Sequence, residues 1–370
     1  MIGSDISALQ PHMANRFDAR VVERERFAGI IGDRPSQYAK SPSLWNAAFT
    51  ALGLNAVFLP FDVDEPKLPD VVEALRRSPH LLGCSVTVPY KIRILPLLDD
   101  LDTKARQIGA VNTVARTPDG RLVGYNTDGS GFLASLTTRI VDAPLFENAL
   151  AGTDVLLIGA GGAARAVAFY LAEQIAPGRL FVVNRTRESA TELAGAVNRA
   201  HGNASAIGED EIDAFGPRVG LIVNGSTKGQ AGLRKLAGGA VTTLEPYSAL
   251  APANPAPFPA GADPDAGIAR QAWFDASRPD IERNNRVSLT VAARTPASTA
   301  AYDLVYAPTD TVFMRHLRYS GHRVANGKGM NIAQAVDGFC DRVCAGILAE
   351  RGFEPEAARQ RVVEEMSRVW

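Results

Sequence analysis

Val155-Leu156-Leu157-Ile158 runs directly into Gly159-Ala160-Gly161-Gly162-Ala163-Ala164. Four apolar residues ending at a glycine cluster read as a buried strand, and the alanine-rich stretch to Leu171 reads as a helix. In that setting Gly159-x-Gly161-x-x-Ala164 has the layout of a dinucleotide-binding turn. Gly159 permits the tight turn, Gly161 lets the backbone approach a pyrophosphate, and Ala164 lets the helix lie close to the strand. The helix start offers free N–H groups and a positive dipole end to phosphates. The competing reading is a tight turn whose glycines serve packing alone.

The next strand, Leu180 to Val183, ends at Asn184-Arg185-Thr186-Arg187. An NAD site carries an acid near this point to hold both ribose hydroxyls. Here an amide, a hydroxyl and two guanidinium groups stand instead, which suits a 2′-phosphate. NADP is therefore favoured over NAD. Glu188 is the nearest acid, and a solvated charged loop is the bland alternative.

Working outward, short apolar runs alternate with helical stretches from Phe27 onward. Strands are predicted at Phe27–Gly32, Ala56–Val63 and Leu81–Thr87, with helices at Leu44–Leu54 and Leu68–Arg77. Ala110–Ala115 and Leu122–Tyr125 pair as a hairpin across Pro118-Asp119-Gly120. Gly129–Leu136 begins a connecting helix, and strands at Gly220–Asn224 and Tyr302–Tyr306 continue the glycine-turn unit. This alternation predicts an α/β fold with parallel pairing. Glu245 to Ala300 is rich in Pro, Ala, Asp and Arg and reads as a largely structureless insertion. Asn331–Glu350 has one apolar face and reads as a helix. Met1–Arg26 is polar and charged and reads as a loose arm or a tag remnant.

Composition narrows the function. The 370 residues suggest about two domains at roughly 150 residues each. Lys and Arg total 39 against 40 Asp and Glu, a net charge of −1, which argues against nucleic-acid or membrane-surface partners. No apolar run approaches the roughly 18 residues of a spanning helix. Three cysteines, Cys84, Cys340 and Cys344, give no disulfide framework and fit a reducing, cytoplasmic setting. Cys340 and Cys344 are four apart on a predicted helix but have no further ligands at metal spacing, so buried apolar thiols are the expectation and no metal is predicted.

Two ionisable groups of opposite sign stand at strand ends. Lys91 follows Ser85-Val86-Thr87-Val88-Pro89-Tyr90, and Asp128 closes Leu122-Val123-Gly124-Tyr125-Asn126-Thr127. Ligands collect at the carboxyl ends of strands in open α/β sheets. A lysine beside an aspartate there can hold a substrate hydroxyl and relay its proton while hydride leaves the same carbon. A surface ion pair is the other reading. Ser41, Thr87, Asn112 and Gln334 add hydroxyls and amides suited to a polyhydroxy substrate. Ser41, ahead of Pro42, is also placed to cap the helix that follows.

These pieces together resemble the shikimate dehydrogenase family. The matching stretches are Lys40-Ser41-Pro42 with Asn46, Val86 to Lys91, Gly109 to Thr113, Gly124 to Gly129, Gly159 to Ala163, Asn184-Arg185-Thr186, Tyr302 to Tyr306, and Gly327 to Met330 with Gln334-Ala335. They run in order from about Phe27 to the last helix, interrupted by the insertion. The resemblance implies two domains around a cleft and NADP-dependent interconversion of 3-dehydroshikimate and shikimate. Residues 1–128 with 328–370 would bind substrate, and 129–327 would form a Rossmann-type NADP domain. Lys91 would be catalytic with Asp128 its partner. Ser41, Thr87, Asn112, Gln334 and Tyr306 would contact substrate. Gly159, Gly161, Gly162, Ala163, Asn184, Arg185, Thr186, Arg187 and Gly329 would contact cofactor. A monomer or homodimer is expected.

The chain departs from the family pattern where a substrate carboxylate would sit. The family's Ser-x-Ser-Pro is Ala39-Lys40-Ser41-Pro42, with Tyr38 where His is common, and its Asn-Val-Thr is Ser85-Val86-Thr87. A second cofactor-side arginine is replaced by Ser189. Losing one carboxylate hydrogen bond costs about 1–3 kcal/mol if its partner stays buried. Alternatives therefore stand: a paralogue for quinate, an aminoshikimate or another cyclic hydroxy acid, or a non-catalytic NADP-binding regulator.

Overall fold

A computed structural model describes every residue except Asp142, Asn148, Ala237 and Gly238. The chain divides into two compact units, Met1–Val141 with Gly329–Trp370, and Asp142–Lys328. The fold is two-domain α/β, with a Rossmann-type second unit.

The first unit holds β1 (Arg26–Gly32), β2 (Ala56–Asp62), β3 (Leu81–Val86), β4 (Asp100–Leu101), β5 (Thr113–Arg116) and β6 (Leu122–Tyr125), in the order β2-β1-β3-β5-β6-β4. The sheet is mixed rather than parallel throughout, because the β5–β6 hairpin pairs antiparallel with itself and with β3. Both faces are covered. Phe27 and Ile31 point into one apolar cluster, and Ala28 and Ile30 into another built on Trp45, Phe49, Phe58 and Phe339. That two-residue alternation of partners explains why β1 reads as a continuous apolar run.

The N-terminal stretch is not a loose arm. Gly3–Leu9 is helical, and Ile2, Ile6 and Leu9 bury themselves in the first cluster. The Asp5 carboxylate meets His80 Nδ1 at 2.8 Å, and Asn15 exchanges hydrogen bonds with the backbone of Pro60 and Asp62. Three apolar residues at i, i+4 and i+7 suffice for a buried stripe even in a polar segment.

The second unit holds β7 (Val155–Ile158), β8 (Leu180–Val183), β9 (Ala204–Ile207), β10 (Leu221–Asn224), a separate antiparallel hairpin β11 (Leu233–Lys235) and β12 (Val241–Thr243), then β13 (Ala300–Asp303) and β14 (Val324–Asn326). Its main sheet is all parallel in the order β14-β13-β10-β7-β8-β9. The first strand of the unit lies centrally and the order reverses between β7 and β10, the switch point at which doubly wound sheets bind nucleotides.

The segment read as a structureless insertion contains a helix of 28 residues, Gly267–Arg294. Its buried residues include Trp273, Ser277, Asn284, Ser288 and Val291, which recur at helical spacing. Three of those five are polar, so hydrophobic periodicity does not register them. Each has a job: Ser277 Oγ accepts from the Ala256 amide, Ser288 Oγ donates to Ser248 Oγ, and Asn284 accepts from the Ser248 amide while donating to the carbonyls of Ser248, Ala251 and Pro252. The helix therefore satisfies the backbone of the Pro-rich loop that precedes it, which stays irregular as expected.

Candidate active site

β3 delivers Thr87 and, after it, a one-turn helix Tyr90–Arg93 that carries Lys91. β6 delivers Asn126 and Thr127, and Asp128 opens the helix Asp128–Thr137 rather than ending the strand. The Val111 amide donates to the Lys91 carbonyl at 2.8 Å, which ties the lysine's backbone to the start of β5. These connections place Lys91 Nζ 2.5 Å from Asp128 Oδ2, the lysine side chain 18% exposed and the carboxylate 8%.

Asn112 organises what surrounds the pair. It is buried, and its amide nitrogen donates to Asp128 Oδ1 at 2.9 Å, to Thr127 Oγ1 at 3.0 Å and to Gln334 Oε1 at 3.2 Å. Its amide oxygen accepts from the Thr127 amide and from the Thr113 hydroxyl. Gln334 comes from the helix Lys328–Asp337, whose backbone also accepts from Thr127 Oγ1. Asn126 Oδ1 accepts from the Asp128 amide and fixes the turn into the helix. Both carboxylate oxygens of Asp128 are engaged, one by a cation and one by an amide, so this is a buried network and not a surface ion pair.

The structure brings Lys91, Asp128, Asn112 and Gln334 together as neighbours, and adds Thr113 and Thr127, which the sequence motifs do not single out. Ser41 is buried as the first residue of the helix Ser41–Ala51 and does not cap it. Lys40 ahead of it already has helical dihedrals of −82° and −22°, so the hydroxyl lies inside the first turn. Asn46 serves β2 instead, exchanging hydrogen bonds with the Phe58 backbone. Thr87 and Tyr38 crowd over Gly32, where a Cβ would lie 2.4 Å from the threonine methyl and 3.2 Å from the tyrosine hydroxyl. Neither Ser41 nor Thr87 is hydrogen-bonded into the lysine–aspartate network. Tyr306 belongs to the second unit, partly buried, with its phenol pushed up by that burial. Gly329 sits in the first turn of the helix Lys328–Asp337.

In the second unit a cavity of about 300 Å³ is lined by Gly159, Gly161, Asn184, Arg185, Thr186, Glu209, Lys228, Arg234 and Lys235, among others. Gly159 has φ +117°, and a Cβ there would lie 2.6 Å from the Gly225 backbone. A Cβ on Gly161 would meet nothing within 4 Å. The first glycine is thus required by the fold, and the second leaves open room where a ligand approaches. Gly162 and Ala163 open the helix Gly162–Ile175, and Ala164 packs against Gly225. This geometry fits a dinucleotide pyrophosphate.

Arg187 does not line the cavity. It begins the helix Arg187–Ala200, its guanidinium 3.8 Å from Glu211 and largely exposed. Lys228, which no sequence motif marks, is buried with Nζ 2.6 Å from Glu209 Oε1 and 2.7 Å from the Ala251 carbonyl. Burial holds its ammonium below the usual lysine range, partly offset by Glu209. Asp303, at the end of β13, is buried too. Burial pushes its carboxyl up to about 7, against hydrogen bonds from the Thr311 hydroxyl, the Val305 amide and the Asn224 amide.

Similarity to known proteins follows the same division. A relative from Symbiobacterium thermophilum, a shikimate dehydrogenase (NADP(+)), is 34% identical over 313 residues, covering 84% of this chain and 86% of its own length. The chain belongs to the shikimate dehydrogenase family. The family model for the shikimate dehydrogenase substrate binding domain matches residues 30–114, and that for shikimate / quinate 5-dehydrogenase matches 143–213. A second shikimate dehydrogenase (NADP(+)), from Carboxydothermus hydrogenoformans, is 33% identical over 320 residues, 86% of this chain and 92% of the relative. The crystal structure of shikimate 5-dehydrogenase from Thermus thermophilus, in complex with NADP(H) and shikimate, aligns with a TM-score of 0.61 at 27% identity over 93% of this chain and 99% of that one. Among the described residues no three His, Cys, Asp or Glu side chains gather as a metal site, and no helix is long and apolar enough to cross a membrane.

Proposed function

We propose that this chain is an NADP-dependent shikimate dehydrogenase that interconverts 3-dehydroshikimate and shikimate. The observation that carries the reading is the buried Lys91–Asp128 pair, held from a third side by Asn112. A substrate hydroxyl set against Lys91 Nζ gives its proton up to the lysine–aspartate pair as the carbon is oxidised, and takes it back in reduction. Bound NADP supplies the hydride acceptor or donor. Asn112 keeps the Asp128 carboxylate turned toward Lys91. The amides and hydroxyls of Asn112, Gln334, Ser41, Thr87 and Tyr306 are the proposed substrate contacts. Gly159, Gly161, Gly162, Ala163, Asn184, Arg185, Thr186 and Gly329 are the proposed cofactor contacts.

NADP is favoured by Arg185 and Thr186 in a cavity whose one carboxylate, Glu209, is already neutralised by Lys228. Named relatives that use NADP(+) support the same assignment. The three cysteines are unpaired thiols, which agrees with a cytoplasmic enzyme; we take it to act as a monomer or homodimer. A network this closed also speaks against a non-catalytic regulator, which has no use for a buried ammonium–carboxylate pair.

Ala39 favours a second reading. It stands, partly buried, ahead of the helix Ser41–Ala51, where a hydroxyl is expected for a shikimate carboxylate. A related cyclic acid, quinate or an amino analogue, is the corresponding alternative. Steady-state kinetics with NADP against shikimate, quinate and aminoshikimate separate the two readings. Shikimate should give the highest kcat/KM; a higher value for either analogue would transfer the assignment to that acid.

A further inference from the structure

The cofactor cavity has a second cationic wall that the glycine turn and the Asn184-Arg185-Thr186 stretch do not supply. Beyond β10 the chain returns to the cavity with Lys228 and then, on the β11–β12 hairpin, with Arg234 and Lys235. Two of the three ammonium donors of Lys228 are held, one by Glu209 and one by the Ala251 carbonyl. Its ion pair with Glu209, which follows β9, and the shared cavity lining with Asn184, Arg185 and Thr186, which follow β8, put this stretch on the adenosine side of a doubly wound sheet.

Arg234 is the half-buried cation on that wall, Lys235 beside it on β11 being exposed. Its two terminal nitrogens reach the carbonyls of Leu233 and Ala231, at 2.8 and 3.3 Å, and so the guanidinium is oriented by its own loop. Its Nε is buried and has no hydrogen-bond partner among the described residues. Burial lowers its pKa, with no acid nearby to compensate. The hairpin that carries it is pinned from behind: Trp273 Nε1 donates to Thr242 Oγ1 at 3.1 Å, and Thr242 Oγ1 donates to the Ala256 carbonyl. A half-buried guanidinium, fixed in place and facing a cavity without a free carboxylate, is the arrangement that takes a phosphate. Arg187, by contrast, is exposed and faces Glu211.

We propose that Arg234 is a specificity-determining ligand for the 2′-phosphate of NADP, opposing Arg185 across the cavity, and that Arg187 is not. The inference rests on the NADP reading above and adds a residue from the hairpin to it. The test is calorimetric titration of the full chain with NADP, NAD and adenosine 2′,5′-bisphosphate, for the unaltered protein and for Arg234→Gln, Arg234→Lys and Arg187→Gln. Arg234→Gln should weaken NADP and the bisphosphate by about tenfold or more and NAD by less than about twofold, Arg234→Lys should recover part of the loss, and Arg187→Gln should change each by less than about twofold. NADP binding to Arg234→Gln within twofold of the unaltered protein overturns the proposal. So does an equal loss of NADP and NAD, which would mark a structural or pyrophosphate role. An unaltered chain that prefers NADP, with Arg234→Gln keeping that preference, sinks the hairpin assignment alone. An unaltered chain without the preference sinks the cofactor reading with it.

Discussion

Replacing Lys91 with alanine separates what the lysine–aspartate pair does for the fold from what it does for the reaction. The substitution leaves Asp128, 8% exposed, with Asn112 as its remaining side-chain donor at 2.9 Å. Breaking a fully buried pair by removing one partner costs about 3–5 kcal/mol. Lys91 is 18% exposed and water can replace part of its ammonium, so a loss of about 1–3 kcal/mol in unfolding free energy is expected. Proton transfer by a positioned group contributes about 10²- to 10⁴-fold, or roughly 3–5 kcal/mol of barrier. Lys91→Arg sharpens the distinction, since its guanidinium keeps the charge beside Asp128 but does not release a proton near neutral pH. The assay is urea unfolding alongside initial rates of NADP reduction. Lys91→Ala should lose both stability and at least about 100-fold in kcat, and Lys91→Arg should regain stability and not rate. NADP affinity should stay within about twofold in both, because the glycine turn belongs to the other compact unit. A Lys91→Ala rate within about tenfold of the unaltered enzyme, or full recovery of rate in Lys91→Arg, would refute the proton-transfer role.

Gly161→Ala should leave unfolding of the cofactor-free chain within about 0.5 kcal/mol, since its Cβ meets no atom within 4 Å, yet weaken NADP by about tenfold or more in a titration. Gly159→Ala, at φ +117° and against Gly225, should instead destabilise the fold itself. Asp303 makes stability depend on pH: burial raises its folded pKa from the ordinary aspartate value of 3.8 to about 7, so the folded state holds the proton more tightly. Stability it contributes is fully present below about pH 4 and falls by up to about 1.4 kcal/mol per unit between roughly pH 4 and 7, levelling above that. Subtracting unfolding free energies of Asp303→Asn across that range isolates this slope, and a flat or rising difference would show the carboxyl to be ionised throughout. Ala39→Ser should lower KM for shikimate by up to about tenfold if a shikimate carboxylate sits there, and leave it unchanged or raised if the pocket serves another acid.

The parts legible in the sequence are those whose signal is local. β7, the turn at Gly159–Gly161 and the helix after them adjoin one another in the chain, and four consecutive buried apolar residues announce a strand covered on both faces. Lys91, Asn112 and Asp128 were legible as strand-end polar groups, though not the details of their turns. The helix Gly267–Arg294 was not, because Ser277, Asn284 and Ser288 occupy its buried stripe and bond to a loop instead of packing as hydrocarbon. Lys228 was not, because its partner Glu209 comes from a different crossover of the sheet. Arg187, expected at the cofactor from its adjacency to Thr186, has its guanidinium 3.8 Å from Glu211, a neighbour from another crossover that adjacency in sequence does not reveal.

The most direct test of the whole account is kcat/KM for shikimate oxidation by the unaltered chain, followed at the nicotinamide absorbance with NADP and separately with NAD. Turnover of order 10 s⁻¹ with NADP is expected, with a kcat/KM at least about tenfold higher than with NAD. No shikimate-dependent reduction of either cofactor, or equal efficiency with both, would contradict it.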